Sequence, residues 1–208
     1  NANIAGLPAA YIVNQVKDMA SGARTSSLPK HFPQELMLKL AGPAANDPGL
    51  ADAAAYFAAM KPKAVYKVVE TETIPKVDVY RWVYRKLDGG ATEAIGNRVV
   101  ELPDDMERFE HRDGHITYTA YVPPGSIAKG KTLAATGKCV DCHGPNLKGL
   151  KDVPPIAGRS PGYLARQLYD FKSGARTGAG AALMKPVVAP LTNDDLVAIT
   201  AYLATLAP

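Results

Sequence analysis

Cys139-Val140-Asp141-Cys142-His143 contains the only two cysteines of a 208-residue chain, spaced three apart and followed directly by a histidine. Side chains three apart share one face of a helical turn. Both thiols can then bond a single rigid partner while the adjacent imidazole reaches its centre. C-x-x-C-H is the pattern that attaches a haem: two vinyl groups take the thiols and the imidazole ligates the iron. Other uses of paired cysteines fit worse. A dithiol redox pair has no need of His143, and no βαβ pattern surrounds it. A structural zinc site needs four ligands, and no second Cys/His cluster completes one. The fold must therefore wrap a haem around residues 139–143.

A second constraint is internal repetition. Ile4-Ala5-Gly6, Tyr11, Gln15 and Ser21-Gly22-Ala23-Arg24 recur as Ile156-Ala157-Gly158, Tyr163, Gln167 and Ser173-Gly174-Ala175-Arg176, at a constant offset of 152. Met37 then pairs with Met184, and Ala55-Tyr56 with Ala201-Tyr202, at slightly smaller offsets. Identities held in register over this length indicate two copies of one domain. Projected back, the counterpart of His143 falls about ten residues before Asn1. The expectation is that residues 1–60 are the rear of a haem domain whose front lies outside this sequence.

Local signals divide the chain into three segments: 1–60, a bridge 61–121, and a complete domain 122–208. In the last, Pro123-Pro124-Gly125-Ser126 is a turn cluster with Ser126 placed to cap a helix that ends near Gly137. Gly130 inside that helix costs stability, so a close crossing is expected there, with Tyr202 packed on it. Pro161-Gly162-Tyr163 starts a helix over about 161–173, and Thr192-Asn193-Asp194-Asp195 caps a final one carrying Leu196, Ile199, Leu203 and Leu206. The remainder of this domain reads as loop, including Gly178–Pro186. In the first copy, Asp47-Pro48 opens a helix running to about Met60. The bridge carries Val-, Tyr- and Thr-rich runs at 64–69, 77–84, 98–101 and 116–122, which predict short strands.

Met184 is the candidate sixth ligand, since a thioether on the iron favours the reduced state. The competing reading is a methionine that fills the pocket. Met37 occupies the matching place in the first copy. Arg176 and Tyr163, repeated as Arg24 and Tyr11, read equally as propionate partners and as a surface arginine with a core tyrosine. His31, His111 and His115 read as surface residues, and Trp82 as packing within the bridge. The chain has no run of 18 apolar residues, so no span crosses a membrane. It has no Lys/Arg block suited to nucleic acid. A formal net charge of +4 suits an acidic redox partner and an ordinary solvated surface alike.

Taken together, residues 122–208 resemble a class I cytochrome c. The likeness rests on Cys139-Val-Asp-Cys142-His143-Gly144, Pro154-Pro155-Ile156-Ala157-Gly158, Tyr163, Gln167-Leu168, Phe171-Lys172-Ser173-Gly174-Ala175-Arg176, Met184 and Leu191-Thr192. It implies a mainly α fold with haem c on Cys139 and Cys142, and a carbonyl of Pro155 (or Pro154) bonded to the proximal His143. Residues 1–60 resemble the latter part of a second such domain, as in tandem dihaem cytochromes of bacterial periplasms. They lack the first C-x-x-C-H, so a second haem is expected only in a longer native protein, with Met37 as its axial residue. The resemblance further implies a periplasmic location and electron transfer to redox partner proteins, as a carrier or as a subunit of an oxidoreductase, rather than enzymatic turnover. The alternative is a haem enzyme that turns over a small molecule at an opened sixth position.

Overall fold

Helices dominate the structure, a computed structural model that describes residues 3–28 and 32–208. The chain opens with α1 (Ala9–Ala20), α2 (Phe32–Ala45) and α3 (Leu50–Ala59). Next come β1 (Tyr66–Glu70), β2 (Thr73–Pro75), β3 (Val77–Tyr80), β4 (Val83–Lys86), β5 (Thr92–Ala94), β6 (Val100–Pro103), the short α4 (Met106–Glu110) and β7 (Tyr118–Val122). It closes with α5 (Ser126–Thr136), α6 (Cys139–His143), a 3-10 turn at Pro145–Leu147, α7 (Pro161–Ser173), α8 (Ala179–Val188) and α9 (Asn193–Thr205).

Two compact units emerge, each discontinuous in sequence. One comprises Asn1–Pro62, Lys138–Ile156 and Arg166–Thr192; the other comprises Lys63–Gly137, Ala157–Ala165 and Asn193–Pro208. The repeat divides the chain by likeness of segments, whereas these units divide it by packing. The two divisions meet near Pro62 and part company in the C-terminal segment, whose helices are shared out between the units.

In the first unit α1 packs on α2 and α3. A small core of Phe171, Ala181 and Val188 gathers Leu168, Met184 and Leu191 around it. The segment 178–186 is not the loop that its glycines suggest. Three alanines with Leu183, Met184 and Lys185 are strong helix formers, and they outweigh Gly180 to make α8. Pro186 lies in the second half of that helix.

The second unit holds a sheet ordered β1-β7-β6, in which β1 runs parallel and β6 antiparallel to β7. Beside it lie the ribbons β2-β5 and β3-β4, over a core of Ile74, Ile95, Val100 and Leu102. The run 77–84, expected as one strand, is a hairpin. Arg81 turns at φ 58°, as the first central residue of a tight two-residue turn requires. Helix α9 packs on α5 and on β1. At their crossing, a Cβ on Gly130 would lie 2.5 Å from the carbonyl carbon of Ala198 and 2.9 Å from Cβ of Tyr202. The expected close approach is therefore present, and any side chain at residue 130 would force the helices apart.

Carboxylates from the strands cap two helices in this unit. Gly125, not Ser126, is the N-cap of α5. Glu70 at the end of β1 accepts from the amide of Ile127 at 2.8 Å. Glu101 on β6 accepts from the Gly162 amide at 2.7 Å and from the Ser160 hydroxyl at 2.8 Å, at the start of α7. Each satisfies orphan donors that every helix leaves at its N-terminus. In α3 the first helical residue is Leu50 rather than Pro48, because Asp47 closes a tight turn onto the Gly49 amide at 2.7 Å.

Residues that repeat in sequence repeat in conformation. Gly6 and Gly158 have φ of 70° and 65°, and Gly22 and Gly174 have 80° and 81°. Gly6 donates its amide to the Phe57 carbonyl, and Gly158 does so to the Leu203 carbonyl, both at 2.9 Å.

Candidate haem site

The attachment motif forms its own short helix, α6, held between two left-handed residues, Lys138 at φ 52° and Gly144 at φ 75°. Cys139 and Cys142 are free thiols on one face of this turn, the first half-buried and the second exposed. Burial pushes the Cys139 thiol up from its ordinary value.

His143 is 8% exposed, and its Nδ1 lies 2.8 Å from the carbonyl oxygen of Pro154. A carbonyl only accepts, so Nδ1 carries the proton and Nε2 presents a lone pair. Burial also holds this imidazole below the usual histidine range, against a smaller upward pull from the Pro154 carbonyl. A neutral imidazole with Nε2 bare is the form that ligates iron. The carbonyl is that of Pro154. Pro155, the first choice from sequence, stands instead beside Gly149.

That loop is tight. The Gly149 amide donates to the His143 carbonyl at 2.8 Å, and the Ile156 amide donates to the Leu147 carbonyl at 2.9 Å. A Cβ on Gly144 would stand 2.5 Å from the Gly149 oxygen, and one on Gly149 would stand 3.0 Å from the Pro155 nitrogen. With φ of 75° and 90°, both positions favour glycine on conformational grounds as well. Two thiols three apart and one buried imidazole with an oriented tautomer fit a covalently held haem.

Met184 belongs to the same unit, half-buried on α8 against Phe171, Ala181 and Val188. Met37, on α2, is 47% exposed. Tyr163 lies in the first turn of α7, its amide bonded to the Ser160 hydroxyl at 3.0 Å. That turn falls in the second unit. His31 lies outside the described residues. His115 is exposed and pairs with Asp113 at 3.0 Å, a surface contact. Among the described residues no cluster of three or more His, Cys, Asp or Glu is arranged to hold a metal.

Arg176 is buried, 7% exposed, with Nη1 donating to Gln167 Oε1 at 3.0 Å and Nη2 to Gln15 Oε1 at 2.6 Å. Arg24 mirrors it, donating to Gln15 Oε1 at 3.0 Å and to Gln167 Oε1 at 2.9 Å. Two backbone bonds complete the pattern: Thr25 amide to Ala175 carbonyl and Thr177 amide to Ala23 carbonyl, both 2.7 Å. The glutamines stood out in the sequence only as repeat markers. Their constant spacing of nine residues from each arginine was the available signal for this cluster.

A family model described as Cytochrome c matches residues 127–207. Cytochrome c-554(548) of Halomonas halodenitrificans is 37% identical over 79 residues, covering 38% of this chain and 93% of that protein. Cytochrome c4 of Azotobacter vinelandii is 32% identical over 136 residues, covering 56% of this chain and 65% of that protein. The chain thus spans just under two thirds of that relative's length. Among solved structures, the as-isolated thiosulfate dehydrogenase (TsdBA) from Marichromatium purpuratum matches with a TM-score of 0.61 at 26% identity. That match covers 99% of this chain and 32% of the other.

Proposed function

The chain belongs to the cytochrome c family, and we propose from that membership that it is a one-electron carrier of the bacterial periplasm, or the electron-transfer subunit of an oxidoreductase there. The observation that carries this reading is the oriented imidazole on the attachment helix, His143 Nδ1 against the Pro154 carbonyl at 2.8 Å. When bound, haem c supplies exchange of one electron between ferrous and ferric iron. Cys139 and Cys142 would fix it to α6, and His143 and Met184 would hold the iron. The His143–Pro154 bond sets the ligand's orientation and strengthens it as a donor. With His143 and Met184 both holding the iron, the protein would leave no open position for a substrate, which suits electron exchange.

The same reading makes 122–208 a haem domain, 61–121 a bridge, and 1–60 a segment like the latter part of a second such domain, with Met37 in the place that Met184 holds in 122–208. The matched φ values of Gly6 with Gly158 and of Gly22 with Gly174 support it. So do the equivalent bonds to the Phe57 and Leu203 carbonyls. The partner is a redox protein, and a formal net charge of +4 is compatible with an acidic docking face. Among the described residues no helix is long and apolar enough to cross a membrane.

The deciding experiment is carbon monoxide added to the ferrous protein at neutral pH. The carrier reading expects the spectrum to stay that of a six-coordinate His/Met haem. Ready formation of a carbonyl complex would instead support a haem enzyme. Intact mass with a pyridine haemochrome assay then counts haems, one being expected for Cys139 and Cys142.

A further inference from the structure

Asp18 belongs to the first copy of the repeat, yet its carboxylate stands at the N-terminus of α8 in the second. A Cβ built on Gly178, the N-cap of α8, would collide with both carboxylate oxygens and Cγ of Asp18. Gly178 is buried, at φ −55° and ψ 163°, and offers no side chain to the helix start, where its carbonyl accepts from the Ala181 amide at 2.8 Å. A carboxylate there offsets the positive end of the ten-residue helix. Gly178 thus leaves the room that Asp18 fills.

The contact has a reciprocal. Asp170, the repeat counterpart of Asp18, is 5% exposed and crosses the other way, accepting from the Ser27 amide at 3.0 Å and the Ser27 hydroxyl at 2.6 Å. The backbones agree as well. Asp18 carbonyl accepts from the Arg24 amide at 2.9 Å, and Asp170 carbonyl accepts from the Arg176 amide at 3.1 Å. Between these two crossings lies the Arg24/Gln15 and Arg176/Gln167 cluster, whose guanidiniums each bond a glutamine of both copies. The exchange is a built feature of the first unit, not one isolated contact.

We propose that Asp18 is a positioning residue for the sixth ligand: the first copy of the repeat holds the helix that carries Met184 of the second. This rests on the reading of Met184 as axial ligand. Met184 lies in the second turn of α8, with its side chain seated on Phe171, Ala181 and Val188. Loosening the helix start frees that turn to move and shifts the balance between methionine-on and methionine-off iron. Part of the potential of the Cys139/Cys142 haem is then set by a residue more than 120 positions away in the chain.

The test uses the haem-loaded protein in its ferric state, with imidazole as the competitor for the Met184 position. Losing a carboxylate from beside a helix N-terminus corresponds to about fivefold in such an equilibrium. Asp18→Asn and Asp18→Ala should therefore bind imidazole about fivefold more tightly, lower the midpoint potential and weaken the far-red methionine-to-iron band. Asp18→Ala combined with Gly178→Ser supplies a cap from within α8 and should restore all three readouts towards wild type. Unchanged imidazole affinity and potential in both single variants, with only a fall in overall stability, would overturn the proposal. Met184→Leu separates the premise: survival of the far-red band in that variant removes the ligand assignment itself, whatever Asp18 does.

Discussion

Helices α3 and α9 are counterparts in the repeat, sharing the Ala-Tyr pairs Ala55-Tyr56 and Ala201-Tyr202, yet they are buried very differently. Seven residues of α9 are buried: Leu196, Ala198, Ile199, Thr200, Ala201, Leu203 and Ala204. In α3 only Ala54 is buried, and Tyr56 is 66% exposed. The neighbours make the difference. Helix α9 has α5 on one side and strand β1 on another, whereas α3 packs on α1. Burial is decided by what an element packs against, and the same Ala-Tyr pair can serve as core or as surface.

The sharpest way to break this comparison is at the helix glycines. Gly130 lies in α5 where a methyl group would meet the backbone of Ala198 at 2.5 Å, and that backbone cannot yield without opening the α5–α9 crossing. Gly130→Ala should destabilise the holoprotein by about 3 kcal/mol in denaturant titration. Gly42 lies in α2 of the first copy, with nothing within 4 Å of its would-be Cβ. Gly42→Ala should therefore raise stability, by about 0.7 kcal/mol, from helix propensity alone. Equal losses from the two substitutions would mean that the first copy is packed as closely as the second.

A smaller effect separates the tyrosines. Tyr202 is half-buried at the α5–α9 crossing, so Tyr202→Ala should cost about 2 kcal/mol. Tyr56 touches mainly the edge of Phe57, ring centroids 5.4 Å apart, and Tyr56→Ala should stay within about 0.5 kcal/mol. A large loss at Tyr56 would reveal a partner covering α3 in solution.

This contrast also marks where the sequence was legible. Helices α5, α7 and α9 were readable because Gly137, Pro161 and Thr192 punctuate them and their apolar residues recur at helical spacing. The Gly130 crossing was readable because a glycine inside a helix needs a reason. Helix α8 was not, since Gly178 and Gly180 resemble loop residues until Asp18, from far along the chain, is seen filling the space beside Gly178. Nor was the parallel pairing of β1 with β7, which joins residues 66–70 to 118–122 across the whole bridge. The site divides likewise. Cys139, Cys142 and His143 are consecutive enough to identify by spacing, whereas the choice of Pro154 over Pro155 depends on how the intervening loop closes. The spacing of each glutamine from its own arginine was legible, whereas the crossed bonds of Arg24 to Gln167 and Arg176 to Gln15 become visible only when both copies are folded together.

The mildest prediction concerns the bridge, whose β1 packs on α9 and whose Glu101 accepts from the start of α7. Tyr118 on β7 is half-buried, stacked on Tyr66 with ring centroids 5.5 Å apart. Burial raises its phenol above the ordinary value, and the nearby Glu101 carboxylate adds to this while Arg112 opposes it. The folded chain thus keeps the Tyr118 proton to higher pH than the unfolded chain does. Its contribution to stability is complete below the ordinary tyrosine pKa and is lost as pH rises through the raised folded value. In a phenolate absorbance titration Tyr118 should ionise later than an unperturbed tyrosine. Glu101→Gln should bring that ionisation down, but not to the ordinary value, because burial is the larger cause. The same substitution removes the charge that caps α7, costing about 1 kcal/mol. An unmoved Tyr118 ionisation alongside lost stability would mean that Glu101 acts on α7 alone and that the bridge covers the second copy without coupling to it electrostatically.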